Sequence, residues 1–259
     1  MALLRIDHSP STVQVNLPLN VIVPDPAALR ERPLRARKVL YLLHGLSDDA
    51  GAWQRFSSIE TVAAEYGLVV IMPSVGRSFY TDQPNGQRYF TYITEELPRF
   101  VKDLFGLDPA RDDTLLAGLS MGGYGAIKTA FAQPERFSAV ASLSGVLSLQ
   151  IFNTHRDDAR QAEFAHIFGD LSQLAGGPHD PAVWVENAAR NGVRLPYLYV
   201  ACGRQDDLYP LQPYFLQLCA AHGIAVDAHE EDGRHDWPFW DRQIRRFLER
   251  VLGPAQAAG

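Results

Sequence analysis

A serine with a glycine two residues away on either side (Gly118, Ser120 and Gly122) is the feature that most constrains how this chain can fold. A run typical of a β-strand, 114–117, precedes it, and a run typical of a helix begins near Gly123. This spacing is what a sharp strand-to-helix turn requires. The serine takes a strained backbone conformation, and side chains two residues away would collide. We therefore predict that the turn holds the Ser120 hydroxyl clear of a sheet and aims the first amides of the helix at whatever the serine attacks.

Length and composition are those of an ordinary globular protein. The chain has 259 residues, 46% of them apolar, which suits one large α/β domain. A net charge of −6 with interspersed signs argues against nucleic acid or an anionic membrane as the main partner. The N-terminus does not resemble a secretory signal and no run approaches the ~20 apolar residues of a membrane span, so we expect a cytoplasmic protein. Cys202 and Cys219 are too few for a disulfide framework, and we expect buried, reduced thiols.

Strand-like and helix-like segments alternate along most of the chain, which predicts a mostly parallel sheet covered by helices on both faces. The predicted strands are 13–23 (in an antiparallel edge with 3–8), 39–43, 68–72, 114–117, 137–143, 195–201 and 224–229. The predicted helices are 59–66, 92–105, one that follows Ser120, 211–222 and 237–252. Pro98 must lie near a first turn or kink the second of these helices.

The remaining segments are interpreted as connections within the single domain 1–259. Residues 24–37 and 73–90 are predicted loops, rich in proline, glycine and charged or aromatic residues. Residues 145–192 interrupt the alternation, and we interpret them as an insertion that partly caps the carboxyl edge of the sheet. The tail 253–259 is predicted to be disordered.

An activated serine needs a histidine to take its proton and a carboxylate to orient that histidine. In folds with this turn the acid and the histidine follow the serine in that order, on loops after later strands. The last two predicted strands are followed by Asp206 and Asp207 in one case and by His235 in the other. Because parallel strands share one carboxyl edge, we expect Ser120, one of the aspartates and His235 to converge there.

Three histidines follow the aspartates, and their settings differ. His222 ends a predicted helix before a glycine, where an imidazolium suits the helix dipole. His229 lies at the end of a strand, where the pleat fixes its side chain. Only His235 lies in a glycine-containing loop beyond the last strand, so we predict that it is the catalytic base. The residues alone leave Asp206 and Asp207 as alternatives, since adjacent side chains point in different directions and one of them can face the histidine.

Backbone amides that would hold an oxyanion are expected at two places. One donor follows the serine, here Met121, and the second comes from the loop after the first central strand, here Leu46. We expect His44, just before that loop, to be a structural hydrogen-bonding residue rather than a second base. Asp48 and Asp49 lack ligand-spaced partners, so we predict no metal and interpret them as a solvated loop or a helix cap.

Several segments, taken together in their order, resemble a known family. They run from Tyr41 to Asp49, over Met72, Pro73 and Ser74, from Gly118 to Gly125, and from Gly233 to Trp240. They resemble the esterase D-like branch of the α/β-hydrolases, and most of all the bacterial tributyrin-type acetyl esterases. S-formylglutathione hydrolases, feruloyl and acetyl-xylan esterases and mycolyltransferases are more distant relatives. The resemblance extends from about residue 10 to residue 250 and implies the α/β-hydrolase fold.

The resemblance also implies roles for single residues. The family's serine matches Ser120 and its histidine matches His235. Its acid lies in a segment like that from Cys202 to Tyr209, which selects Asp206. The family implies no cofactor.

The activity implied by the resemblance is that of a serine carboxylesterase, acting on short-chain acyl esters (acetyl to butyryl) through an acyl-enzyme intermediate. Segment 74–90 is more similar to the acetyl esterases, but an S-formylglutathione hydrolase type of thioesterase and an acyltransferase with the same triad remain alternatives. The expected partner is a small-molecule ester, without nucleic acid or membrane, and a homo-oligomer is left open. A small substrate pocket is expected from some of these aromatic residues, with plain packing as the alternative for each: Phe79, Tyr80, Tyr89, Phe152, Phe164 and Trp184.

Overall fold

A single sheet runs through the molecule. The computed structural model describes residues 1–24, 37–149 and 158–254. Within these ranges the strands are β1 (Ala2–His8), β2 (Leu17–Val23), β3 (Val39–Leu43), β4 (Val69–Pro73), β5 (Thr114–Leu119), β6 (Ala139–Leu143), β7 (Tyr197–Gly203) and β8 (Asp227–Glu231). Their order in the sheet is β1-β2-β4-β3-β5-β6-β7-β8. β2 pairs antiparallel with both β1 and β4, and every other neighbouring pair is parallel. The predicted mostly parallel sheet with an antiparallel edge is confirmed.

Alternate residues of the central strands pack against opposite faces of the sheet. In β3, Val39, Tyr41 and Leu43 belong to one hydrophobic core, whereas Leu40 and Leu42 belong to the other. Successive side chains of a strand point to opposite faces, so a strand covered on both sides is apolar throughout. The continuous apolar runs in the sequence therefore reflect two cores rather than one.

Helices cover both faces. Those in the described ranges are α1 (Ala52–Phe56), α2 (Ile59–Tyr66), α3 (Tyr89–Thr91), α4 (Leu97–Phe105), α5 (Met121–Ala132), α6 (Asp158–Phe168), α7 (Pro181–Arg190), α8 (Leu211–Ala221) and α9 (Trp237–Leu252). α1, α2 and α9 pack on one core, and the side chains of α4 to α8 contribute to the other. None of the helices in this part of the chain is long and apolar enough to cross a membrane.

The predicted helix 92–105 is interrupted by one wide turn. Residues Tyr92–Glu96 form a π-helical turn, and α4 then begins with Pro98 in its first turn. A proline has no amide hydrogen to donate to the carbonyl four residues before it, here Thr94. Arg136 donates to that carbonyl instead, at 2.6 Å. The wide turn thus accommodates the proline without an orphaned carbonyl.

The segment 145–192 contains helical structure that its sequence did not suggest. α6 and α7 both lie in it, and α7 packs against α5 and α8. Asp180 begins α7 by accepting a hydrogen bond from the Ala182 amide, with Pro181 in the first turn. α7 therefore belongs to the same helical layer as α5 and α8, and it comes between β6 and β7 in the order of the chain. The part of the predicted cap at 150–157, including Phe152, lies outside the described residues, as do 25–36 of the predicted loop and 255–259 of the predicted tail.

The last strand begins three residues later than predicted, at Asp227 rather than Ile224. The Ile224 amide donates to Cys219 at 2.9 Å and its side chain packs on the core. The apolar residues 224–226 therefore close the end of α8 before the strand starts.

A half-buried carboxylate, that of Glu96, ties the turn between β1 and β2 to the π-helical turn. Glu96 accepts hydrogen bonds from the Ser11 amide at 2.6 Å and from the Thr12 amide at 2.9 Å and hydroxyl at 2.5 Å. Burial opposes its ionisation, but these hydrogen bonds outweigh burial and lower the pKa of Glu96 to about 2. The charged form is therefore the one that the fold stabilises.

We expect Glu96→Gln to lower the free energy of unfolding at neutral pH by about 1–2 kcal/mol, since the donors lose a charged acceptor. The pKa of Glu96 in the folded state lies below its ordinary value of 4.5. Its contribution is therefore complete above that value and is lost as the pH falls towards about 2. Denaturant titrations of wild type and variant should converge on acidification. Glu95→Gln, at the exposed neighbouring position, should match wild type throughout.

Candidate active site

The turn predicted around Ser120 is present between β5 and α5. Ser120 precedes the first helical residue and has φ of 53°, a left-handed conformation that side chains rarely adopt. A Cβ atom on Gly118 would lie 2.2 Å from the Gly122 carbonyl oxygen, and one on Gly122 would lie 2.6 Å from the Leu43 carbonyl oxygen. Glycine is therefore required at both positions. The serine is half-buried and lies directly before the first residue of α5.

The strands bring the predicted site residues to one edge of the sheet. Leu119 of β5 pairs with Leu143 of β6, and Leu143 pairs with Ala201 of β7. Ser120 directly follows this row, while Asp206 and His235 lie in the loops that follow β7 and β8. These loops are joined by the Gln205 amide, which donates to the Gly233 carbonyl at 3.0 Å.

Asp206 and His235 form a direct pair. His235 Nδ1 lies 2.9 Å from Oδ2 and 3.1 Å from Oδ1 of Asp206. The Asp206 side chain is fully buried, and its Oδ1 also accepts a hydrogen bond from the Leu208 amide at 2.8 Å. Burial would raise the pKa of Asp206, but its hydrogen bond to His235, the charge of that histidine, the Leu208 amide and the Ser144 hydroxyl together lower it. Asp207, the alternative acid, is exposed.

Ser120 is not hydrogen-bonded to the pair formed by Asp206 and His235. Within the described ranges the Ser120 hydroxyl forms no hydrogen bond with His235, although both lie at the same edge. Such hydrogen bonds are often long without substrate and shorten in the reacting complex. The hydrogen bond between Ser120 and His235 thus stays a prediction.

Two further residues support the acid and the histidine, and sequence reasoning gave neither a role. The Trp240 indole donates to the Ser144 hydroxyl at 3.0 Å, and its ring meets the His235 ring edge-on with centroids 4.9 Å apart. Ser144 is buried, has φ of 48° and follows β6 directly. Trp240 belongs to a segment that carried the family resemblance, but nothing in the local sequence marks Ser144.

The candidate oxyanion donors lie on both sides of the serine. Met121 is the first residue of α5, and the first amides of a helix have no partner within it. A Cβ atom on Gly45 would lie 3.8 Å from the Ser120 Cβ, so the loop that carries Leu46 lies against the serine. Neither amide donates to another described residue. Both are therefore able to bind an oxygen atom supplied by a ligand.

The predicted pocket residues lie in different settings. Phe79 is 2% exposed and Tyr80 is fully buried, and the Tyr80 hydroxyl donates to the His44 carbonyl at 3.0 Å. Trp184 lines a cavity of about 320 Å³ beside Lys128. Lys128 lies eight residues after Ser120 in α5, about 12 Å further along the helix axis. Contact of these three aromatic residues with substrate stays a prediction.

Metal binding has no obvious residues to support it. In the described part of the chain no group of three or more histidine, cysteine, aspartate or glutamate residues is placed to hold a metal ion. His44 is buried and both ring nitrogens have partners, Gly45 and Val75. Among the described residues, the serine, the histidine and the buried carboxylate are an arrangement of the kind that supports nucleophilic catalysis.

The chain is similar to known esterases along nearly its whole length. The model of the Esterase family, described as "Putative esterase", matches residues 9–250. An acetyl esterase of Caldicellulosiruptor saccharolyticus is 29% identical over 259 residues, covering 96% of this chain and 97% of that protein.

Two solved structures from Staphylococcus aureus are similar in both fold and sequence. The fluorophosphonate-binding serine hydrolase F, FphF, superimposes with a TM-score of 0.89 at 32% identity and covers 98% of this chain and 99% of its own. The S-formylglutathione hydrolase FrmB gives a TM-score of 0.86 at 33% identity and covers 97% of this chain and 98% of its own. The fold is accordingly the α/β-hydrolase fold, as predicted.

We expect a fluorophosphonate probe to label this chain at Ser120, since the turn places that serine at the same sheet edge as a histidine–carboxylate pair. Ser120→Ala should abolish labelling, and Asp206→Asn should slow it by ~10³–10⁴-fold. Asp207→Asn is the matched control, because Asp207 is exposed and adjacent in the chain. Labelling is followed by intact mass and located by peptide mapping. A rate lowered by Asp207→Asn and not by Asp206→Asn would assign the acid to Asp207.

Proposed function

Because the chain belongs to the Esterase family and is a carboxylic ester hydrolase, we propose that it hydrolyses short-chain acyl esters, acetyl to butyryl, through an acyl-enzyme formed on Ser120. The observation that carries this proposal is the buried Asp206 paired with His235, on loops that follow the Ser120 turn at one edge of the sheet. This is the combination that serine acyl transfer needs: a nucleophile, a base and a group that orients the base.

The first half of the proposed reaction forms the acyl-enzyme. Ser120 Oγ attacks the ester carbonyl carbon while His235 Nε2 takes the hydroxyl proton. Asp206 accepts from Nδ1, which leaves Nε2 free for the proton and stabilises the imidazolium that forms. The tetrahedral intermediate collapses, and His235 returns the proton to the departing alcohol.

The second half releases the acid. Water takes the place of the alcohol, and His235 accepts its proton as it attacks the acyl carbon. The second tetrahedral intermediate then expels Ser120 Oγ, which takes the proton back from His235, and the free acid leaves. In both halves the negative oxygen is held by the amides of Met121 and Leu46. Each such donor lowers the barrier by about 3 kcal/mol in comparable enzymes.

Support for a short acyl chain comes from the relative and from the packing near the first turn of α5. The curated relative at 29% identity is an acetyl esterase. Near the first turn of α5 the rings of Phe79, Tyr124 and Phe168 pack on one another, with centroids 5.4–6.4 Å apart. Rings already packed together leave little room for a long chain, which favours acetyl to butyryl groups.

A second candidate is hydrolysis of the thioester S-formylglutathione. It is favoured by the similarity to FrmB, a protein described as an S-formylglutathione hydrolase, at 33% identity. The same serine, histidine and aspartate would carry it, because the leaving group changes from an alcohol to a thiol and the acyl group becomes formyl while the acyl-transfer steps stay the same.

The deciding experiment is a series of p-nitrophenyl esters from C2 to C12, with S-formylglutathione alongside. We expect kcat/KM to be highest at C2–C4 and to fall with longer chains, since packed rings leave no room for them. Formylglutathione turnover should be weak by comparison. If formylglutathione exceeds every ester by orders of magnitude, the thioesterase function replaces the proposed one.

We expect Ser120→Ala to lower kcat by about a millionfold on the best substrate, because the nucleophile and its activation are lost together. Circular dichroism and the melting temperature, measured on the same preparation, control for folding. Residual activity within a hundredfold of wild type would mean that another residue is the nucleophile. Added butanol in the wild-type assay separates hydrolysis from acyl transfer through the yield of butyl ester.

A further inference from the structure

His44 is held as one defined tautomer. Its Nε2 lies 3.0 Å from the Val75 amide nitrogen, and its Nδ1 lies 2.7 Å from the Gly45 carbonyl oxygen. An amide N–H can only donate, so Nε2 is the acceptor and Nδ1 carries the hydrogen. Burial keeps the ring neutral by lowering its pKa, against the hydrogen bond to Gly45 and the charges of Asp48 and Asp49, which raise it. The histidine therefore donates to Gly45 without carrying a charge.

The acceptor of this hydrogen bond belongs to the peptide unit of the candidate oxyanion donor. The Gly45 carbonyl and the Leu46 N–H are opposite ends of one planar group, so fixing the carbonyl fixes the direction of the N–H. A hydrogen bond to the carbonyl also polarises the amide and makes the N–H a stronger donor. His44 thus acts on the Leu46 amide without touching the substrate.

The preceding peptide unit is held in the same way. The Tyr80 hydroxyl donates to the His44 carbonyl at 3.0 Å. Gly45 lies between the two units, and a glycine has more backbone freedom than any other residue. Two side-chain hydrogen bonds on successive carbonyls remove that freedom at the point where the Leu46 amide must be aimed.

Tyr80 is itself fixed by a strained loop. Phe79 and Tyr80 are adjacent non-glycine residues with φ of 51° and 49°. Lys128 donates to the Tyr80 carbonyl at 3.1 Å and to the Thr81 hydroxyl at 2.8 Å. The Tyr80 ring packs so closely on Gly125 that a Cβ atom there would lie 2.5 Å from it. The hydroxyl is therefore delivered to His44 from a rigid support on α5.

We propose that His44 and Tyr80 are positioning residues for the oxyanion hole, which orient and polarise the Leu46 amide through the carbonyls of Gly45 and His44. This inference rests on the proposed function, because it needs an oxyanion to form at Ser120. It gives Tyr80 a role other than the substrate contact suggested by the sequence. Neither residue exchanges a proton with the substrate.

The test separates the hydrogen bonds from the packing. Tyr80→Phe removes the hydroxyl and keeps the ring. His44→Asn keeps a donor near the position of Nδ1, whereas His44→Gln keeps an acceptor near the position of Nε2 and loses the donor. Tyr199→Phe is the matched control, because the Tyr199 hydroxyl is also buried and hydrogen-bonded, to Gln243 at 2.6 Å, in the opposite core.

On the best substrate found for wild type, ester or thioester, we expect Tyr80→Phe to lower kcat by about tenfold with KM within twofold. Loss of a whole oxyanion donor costs ~10²–10³-fold, and a misdirected donor should cost no more than the lower end of that range. His44→Gln should lose about a hundredfold in kcat, with His44→Asn between it and wild type. Affinity for a trifluoromethyl ketone, which forms an oxyanion on the serine, should fall in parallel with kcat. Tyr199→Phe should change stability alone.

Unchanged kcat in Tyr80→Phe and His44→Gln, or a loss matched by Tyr199→Phe, would overturn the proposal. A rise in KM alone would return Tyr80 to substrate binding. If wild type hydrolyses neither esters nor thioesters, the proposed function fails separately. Crystal structures of Tyr80→Phe and His44→Gln then test the positioning role directly. The proposal requires the 45–46 peptide plane to rotate in these variants, and a plane that stays in place overturns it.

Discussion

The close approach of α5 to the ends of β3 and β5 is the constraint on which the rest of the site depends. Space for a single Cβ atom is lacking at both Gly118 and Gly122, so helix and strands touch through backbone alone. The chain can then turn from strand to helix only by placing Ser120 in the left-handed region. The same contact brings the loop after β3 against the serine. Nucleophile, helix N-terminus and candidate oxyanion loop are therefore consequences of one packing arrangement.

Asp206 and His235 differ in how far their side chains are exposed to solvent. The Asp206 side chain is completely buried, whereas the His235 side chain is 34% exposed. A buried carboxylate in surroundings of low dielectric interacts strongly with the histidine that it contacts. The exposed edge of the histidine remains available to substrate and water. The site thus combines a fixed orienting group with a base that solvent can reach.

Local patterns predicted most of the fold, and contacts distant in sequence account for part of what they missed. The strand Val39–Leu43 and the helix Trp237–Leu252 are where their apolar periodicity placed them. In the π-helical turn the Thr94 carbonyl accepts a hydrogen bond from Arg136, which lies 42 residues away, so the residues around Pro98 do not reveal this contact. α7 is different, because Asp180 and Pro181 are a helix-start signal that the preceding glycines obscured.

Some residues of the candidate site could likewise be predicted from local sequence, and others could not. Ser120 and His235 could be chosen because the order of strands and the loops that follow them can be predicted from sequence, whereas Asp206 was selected over Asp207 by the family resemblance. The hydrogen bond from Tyr80 to the His44 carbonyl could not be predicted from sequence, because a tyrosine that is buried and one that contacts substrate look the same in a sequence.

Backbone conformation distinguishes these two cases in the structure. Of the non-glycine residues with positive φ in the described part of the chain, Phe79, Tyr80, Ser120 and Ser144 all lie in loops at the carboxyl edge, and Gln14 alone does not. Such conformations persist only where the surrounding structure imposes them. Their concentration around the serine means that the scaffold maintains this geometry at a cost in stability, which is what preorganisation of an active site requires.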